Sequence, residues 1–142
     1  MKRKFMMKTV LLAIIVTFVL VGCSAHNPFI LKNTAELQNI SKTKYPAHSR
    51  KIFVTEYNLP QTVKYEILGT IEVGKIWYGS SNNVMQSMAD RAREIGADGV
   101  VEVQTWFQPS GWSWSAPHGS GIAVKIKEPE DFDWSALNGW WK

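Results

Sequence analysis

Tyr65-Glu66-Ile67-Leu68-Gly69-Thr70-Ile71-Glu72-Val73 decides the fold of this chain. Tyr65, Ile67, Gly69, Ile71 and Val73 fall on one side of an extended backbone. Lys64, Glu66, Thr70 and Glu72 fall on the other, and only Leu68 breaks the alternation. A period of two with one polar side specifies a half-buried antiparallel strand. The period then changes. Gly79-Ser80-Ser81-Asn82-Asn83 supplies helix N-caps. Val84, Met85, Met88, Ala89, Ala92 and Ile95 follow at helical spacing, with Gln86, Asp90, Arg91, Arg93 and Glu94 mostly off the stripe. Gly96 stands where a helix ends on a left-handed residue.

Outward from this pair, Ile52-Phe53-Val54-Thr55-Glu56-Tyr57 reads as an earlier strand stopped by the Asn58-Leu59-Pro60 turn. Val100, Val101, Val103, Thr105 and Phe107 make a third strand. Gly119 to Lys127 makes a fourth, with Ile122, Val124 and Ile126 inward and Lys125 and Lys127 outward. The segment from Gln108 to His118 reads as a long hairpin loop, beyond the two to five residues that a tight one takes. The class is therefore α+β: a two-layer β-β-α-β-β domain over residues 51–128, one helix covering a small sheet. Residues 129–142 form an acidic, then Trp-rich C-terminal tail.

The N-terminus carries a different signal. Met1-Lys2-Arg3-Lys4 is basic, Thr9 to Val21 is uncharged, and Leu20-Val21-Gly22-Cys23 follows the pattern of a small residue before a cut site. The last four residues resemble the lipobox of bacterial lipoproteins. That resemblance implies a signal peptide over residues 1–22, a diacylglycerol on the Cys23 sulfur, acyl chains such as palmitate, and Cys23 as the first residue of the mature protein. An ordinary secretory leader with an unrelated cysteine is the alternative. The uncharged run falls short of the ~18–20 residues that span a bilayer. Residues 23–50 read as the acylated N-terminus and a polar tether with Pro28 and Pro46, in which Thr34-Ala35-Glu36-Leu37 allows a short helix capped by Thr34. As a flexible coil the tether would reach on the order of 28 Å.

Removing the leader changes the charge balance. The chain has 16 basic and 12 acidic residues; Lys2, Arg3, Lys4 and Lys8 precede Cys23 and no acidic residue does, which leaves twelve of each. The mature part has no basic stripe, so nucleic acid is not an expected partner. Cys23 is the only cysteine. Once acylated it leaves no disulfide in a compartment that would permit one, so packing must supply stability.

Three stretches carry a second resemblance. Tyr65-Glu66-Ile67-Leu68-Gly69-Thr70-Ile71 is similar to a "Y-x-I-x-G-x-V" strand. Ala89 to Val101, with Gly96-Ala97-Asp98-Gly99-Val100-Val101 at its end, is similar to an "A-x-x-x-G-A-N-A-V" helix-to-strand junction. Gly119-Ser120-Gly121-Ile122-Ala123-Val124-Lys125-Ile126 is similar to a closing "G-T-A-V-x-I" strand. These stretches resemble the YbjQ-like domains, a family described as heavy-metal-binding, and the C-terminal domain of the Rcs stress-sensor outer-membrane lipoproteins, over roughly 51–127. The resemblance implies fold before function. The disulfides of the stress-sensor domain have no counterpart here, and neither a Cys-x-x-Cys nor a His pair at ligand spacing supports a metal.

His26, His48 and His118 read as surface histidines in tether and loop. Glu66 and Glu72 share a strand face about 20 Å apart, too far for a glycosidase pair at roughly 5–9.5 Å, and read as a solvated face. No Gly-x-Ser-x-Gly elbow, phosphate loop or calcium loop occurs. Neither a catalytic set nor a cofactor is indicated, and a cell-wall hydrolase is disfavoured. Tryptophan is the excess: all seven follow Ile76. Trp77 is expected to close the core below the helix. Trp112 and Trp114 flank Ser113 in the expected loop and, with Trp106, are the candidate partner-binding residues. Alternatively the loop folds over the sheet, joined by Trp140 and Trp141.

The expected function is a lipid-anchored, non-catalytic envelope lipoprotein with an interaction or sensing domain. Its partners are membrane lipid through acylated Cys23 and an envelope protein or glycan. An oligomeric small-ligand or metal-binding domain is the alternative. Ser24, rather than Asp, after Cys23 implies the outer membrane by resemblance to enteric lipoproteins, or the outer face of the cytoplasmic membrane in a Gram-positive source.

Overall fold

The alternating stretch is a strand and the stripe after it is a helix. In chain order the elements are β1 (Thr34–Gln38), β2 (Phe53–Val54), β3 (Tyr65–Gly74), α1 (Ser81–Glu94), β4 (Gly99–Ser110), β5 (Ser113–Ile126), a 3-10 turn (Trp134–Ala136) and β6 (Trp140–Trp141). This computed structural model describes residues 33–128 and 132–142. The expected leader, Cys23, Ser24, His26 and Pro28 lie outside the described residues. The strands form one sheet in the order β1-β3-β5-β4-β2-β6. Neighbours are antiparallel except β2 and β4. Among the described residues the result is a small mixed α/β domain with a six-stranded sheet and one helix.

The helix ends behave as the sequence expects. At its start the Ser80 N–H and hydroxyl both donate to Asn83 Oδ1, which satisfies a donor that the first turn leaves free. At its end Gly96 takes φ +75, and the N–H groups of Gly96 and Ala97 return to Arg93 O and Ala92 O. A side chain at Gly96 would also strike Tyr45 and the Pro46 carbonyl.

α1 buries Val84, Met85, Met88, Ala89 and Ala92 against Leu68, Ile71, Val73, Val100, Val103 and Ala123. It approaches β5 closely because Gly119, Gly121 and Ala123 lie under it. A Cβ on Gly119 would come within 2.5 Å of Gln104 O and 2.8 Å of Val84 Cγ1, and one on Gly121 within 2.6 Å of Val100 Cγ1. Val124 and Ile126, with Ile122 beside them, belong to a second cluster on the far side, with Leu59 and Val101, under Val63, Phe132, Trp134 and Leu137. The expected inward row of β5 therefore packs away from the helix, because this strand is covered on both faces.

Two irregularities make both clusters reachable. The β3–β5 register shifts between Ile67 and Gly69. Leu68, the residue that broke the alternation, is buried, and Ile67 is turned out. Glu102 takes φ 53 at a second shift, between Val101 and Gln104, so Val100 and Val103 join the helix-side core while Val101 joins the other. Bulges re-aim side chains in this way at a local cost in pairing.

Three expectations are corrected at the edges. Thr34-Ala35-Glu36-Leu37 is strand, not helix: it pairs with β3, Glu36 opposite Glu72. The edge of β3 satisfies its backbone groups, and Ala35 and Leu37 cover the helix-side core. Residues 33–50, expected as tether, return to the domain. Ser41 N donates to Leu68 O and His48 N to Arg93 O. The strand expected over 52–57 pairs only at Phe53 and Val54, in parallel with Gly99 and Val100. The tail also packs: Trp134 lies 5.0 Å from Phe53, ring centre to ring centre, and Trp141 lies 5.2 Å from it.

Candidate functional site

The expected loop at 108–118 is the end of a hairpin. β4 and β5 run on to Ser110 and Ser113, and only Gly111 and Trp112 lie between them. The Pro, Ser and Gly composition suggested a loop, but pairing gives the backbone its hydrogen bonds, and Pro109 falls at the register shift between Gln108 and Ser110, where no ladder bond is asked of it. Gly111 has φ +55 and leans on Ile76. Trp112 N donates to Ile76 O at 3.1 Å, and Lys75 N donates to Pro117 O at 3.3 Å. The 75–79 segment is thus fastened beside the hairpin tip.

This juxtaposition brings five aromatic side chains to one end of the sheet. Trp112 is 72% exposed, Trp114 83%, Trp77 60%, Tyr78 57% and Phe107 52%. Trp77 and Tyr78 meet edge to face at 6.0 Å. Of the three candidate residues, Trp112 and Trp114 are at this surface. Trp106 is not: it is half-buried, stacks on the His118 ring at 6.3 Å and donates from Nε1 to Gln108 Oε1 at 2.9 Å. Trp77, expected in the core, belongs to the exposed end. Trp140 and Trp141 do not cover the tip; they pair with Val54 and Phe53. Trp77, Tyr78 and Phe107 escaped sequence reasoning. The available signal was charge, since neither 76–89 nor 103–124 contains Asp, Glu, Lys or Arg.

The opposite end, some 35 Å away along a twelve-residue strand, is charged. A cleft of about 280 Å³ is lined by His48, Arg50, Lys51, Asp98, Trp134 and Trp141. Asp98 Oδ1 accepts from Arg50 at 3.2 Å and from Lys125 at 2.9 Å, and its Oδ2 accepts from Ile126 N at 3.1 Å. Its carboxylate is therefore committed to holding the helix-to-β4 turn against β5. His48 Nε2 lies 2.7 Å from Ala97 O.

The remaining titratable candidates are structural. His118, expected at the surface, is fully buried against Trp106 because the long hairpin puts it mid-strand. Glu66, expected in a solvated face, is held below the usual carboxylate range by the hydroxyls of Thr43, Tyr45 and Ser41. Tyr45 OH and Ser41 Oγ donate to it at 2.8 and 2.9 Å. The same bond raises the Tyr45 phenol above its ordinary value. Glu72 accepts from Gln38 Nε2 at 2.8 Å. Both glutamates thus fasten the N-terminal segment to the sheet. Among the described residues no group of three or more His, Cys, Asp or Glu converges as a metal site, and no helix is long and apolar enough to cross a membrane. No protein-family model, curated protein or solved structure matches this chain.

Proposed function

We propose that this chain is a lipid-anchored bacterial envelope protein, attached through acylated Cys23, whose domain works by contact rather than catalysis. The observation that carries the reading is the exposed aromatic end: Trp77, Tyr78, Phe107, Trp112 and Trp114 stand in solvent on a hydrogen-bonded hairpin and its fastened neighbour loop. Exposed aromatic groups on a firm scaffold are contact surfaces. Ser24 after Cys23 favours the outer membrane in a Gram-negative source. The helix-to-strand junction and the closing strand support a YbjQ-like two-layer core inside the six-stranded sheet.

Two measurements test this reading. Mass spectrometry of the protein from membranes should show Cys23 as an acylated N-terminus, and Cys23→Ser should release the chain from the membrane fraction. Photo-crosslinkers at Trp112 and Trp114 should capture a neighbour in cells above the yield from Lys64. An unmodified Cys23 thiol in a soluble fraction would refute the anchor, and capture no better than at Lys64 would refute the contact surface.

A further inference from the structure

We infer that the surface met by the aromatic end is the bilayer that holds the anchor, so that the domain stands on its hairpin tip with Trp77, Tyr78, Trp112 and Trp114 at the membrane–water interface. This rests on the lipid-anchor reading and names the partner of that same surface.

The place where the chain joins the domain decides the orientation. Asn33 is the first described residue, and its Oδ1 accepts from Ile76 N at 3.2 Å. Thr34 pairs with Gly74, at the same end of β3. The segment leading from Cys23 therefore arrives beside Ile76, next to Trp77 and to the Gly111–Trp112 turn that Ile76 fastens. Asn33 is ten positions after Cys23, so the anchor lies at most about 36 Å from that end, and about 18 Å if the segment is a flexible coil. A tether this short keeps the tip at high local concentration over the lipid. The far end, another ~35 Å up β4, reaches the lipid only when this segment is stretched to nearly its full length.

The chemistry of the tip suits an interface. Trp and Tyr concentrate at bilayer interfaces, where an apolar ring and a polar edge are both accommodated. Charged groups would oppose entry, and none occurs in 76–89 or 103–124. Lys75 borders the tip but gives its Nζ to Ser87 Oγ at 2.6 Å, on the helix. The tip backbone is closed on itself: Trp112 N already donates to Ile76 O, so one of the turn's own donors is not left bare by leaving water. The ion pairs of the sheet's other end, the Arg50–Asp98–Lys125 group and the Lys64–Glu128 pair, lie far from the tip; Glu36 and Glu72, opposite each other two residues in from the Thr34–Gly74 end, are the charges nearest to it in the β1–β3 ladder. The domain is therefore amphipathic lengthwise. A bilayer is the one partner that the anchor itself holds beside the aromatic end, whereas a protein partner sets no condition on where the anchor joins.

The test uses the mature, acylated chain. Acylation consumes the only thiol, so one introduced cysteine takes one probe. Trp112→Cys, Trp114→Cys and Lys64→Cys, each labelled with a bimane fluorophore, are reconstituted into phosphatidylcholine vesicles with brominated acyl chains. Quenching at the two tip positions should exceed that at Lys64 by roughly threefold, as for probes at interfacial depth. Equal quenching at tip and Lys64, with Cys23 acylation shown by mass in the same sample, overturns the orientation and leaves the anchor standing. A sample whose Cys23 proves unacylated in cells overturns the anchor and this orientation with it. Exclusive capture of one protein by the tip crosslinkers, with unquenched tip probes, assigns the surface to that protein instead.

Discussion

Gly119→Ala probes the contact on which the two-layer packing depends. The new methyl would lie 2.5 Å from Gln104 O, 2.8 Å from Val84 Cγ1 and 3.0 Å from Met88 Cε. Ordinary carbon contacts lie at about 3.5–4.0 Å. Met88 can swing its terminal methyl aside, but Gln104 O is backbone beside the β4 bulge and Val84 belongs to the first turns of the helix. The helix or the hairpin must move by roughly 1 Å. Such overpacking costs about 1–3 kcal/mol, and the backbone clash places this site toward the upper part of that range. For a domain of this size each kcal/mol lowers Tm by about 4–6 °C, so a fall of about 8–18 °C is expected. The assay is thermal unfolding by circular dichroism on the chain from Ser24 to Lys142. Ser120→Ala, one position along β5 and already carrying a Cβ, is the control and should change stability by less than about 0.5 kcal/mol. A Gly119→Ala protein melting within about 2 °C of the parent would refute the seating of the helix on the Gly119–Gly121–Ala123 stripe.

Three further outcomes follow from the packing of the N-terminal segment and the C-terminal tail. Trp134 is half-buried among Phe53, Phe132 and Trp141, with ring centres at 5.0, 4.7 and 5.9 Å; since full burial makes Trp→Ala cost about 3–5 kcal/mol, Trp134→Ala should cost about 2 kcal/mol in urea unfolding. Glu66→Gln should speed amide hydrogen exchange over residues 41–48 while leaving α1 protected, because the charged acceptor of the Thr43, Tyr45 and Ser41 hydroxyls is lost. The Glu66 carboxyl titrates lower in the folded than in the unfolded chain, so its contribution is present above the unfolded carboxylate pKa of about 4.3 and disappears as pH falls through the folded value. The 41–48 segment of the parent should accordingly loosen in acid, and Glu66→Gln should abolish that pH dependence.

Much of the core was legible from local pattern. The period-two strand, the capped helix ended by Gly96 and the two strands that follow it all occur, because each is specified by neighbours a few residues away. Even the one discordant residue was informative: Leu68 broke the alternation because the strand itself is bulged there. The misreadings share a cause. Thr34 to Leu37, the Pro/Ser/Gly stretch at 108–118 and the tail at 134–141 have weak local preferences, and each became strand by completing an edge or continuing a ladder already present. Trp77 and Trp106 exchanged expected places for the same reason, since a ring's exposure depends on what the fold sets beside it.

From the residues alone come the lipobox-like ending at Cys23, the neutral balance after it, the helix and its flanking strands, and the surplus of tryptophan. These depend on composition, spacing and short-range propensity. Only the tertiary structure decided that β5 is buried on both faces, that Glu66 holds down the N-terminal segment, and that Asn33, Ile76 and Trp112 meet at one end. Those facts follow from hydrogen bonds and steric contacts between residues dozens of positions apart, and a pattern read along the chain does not contain them.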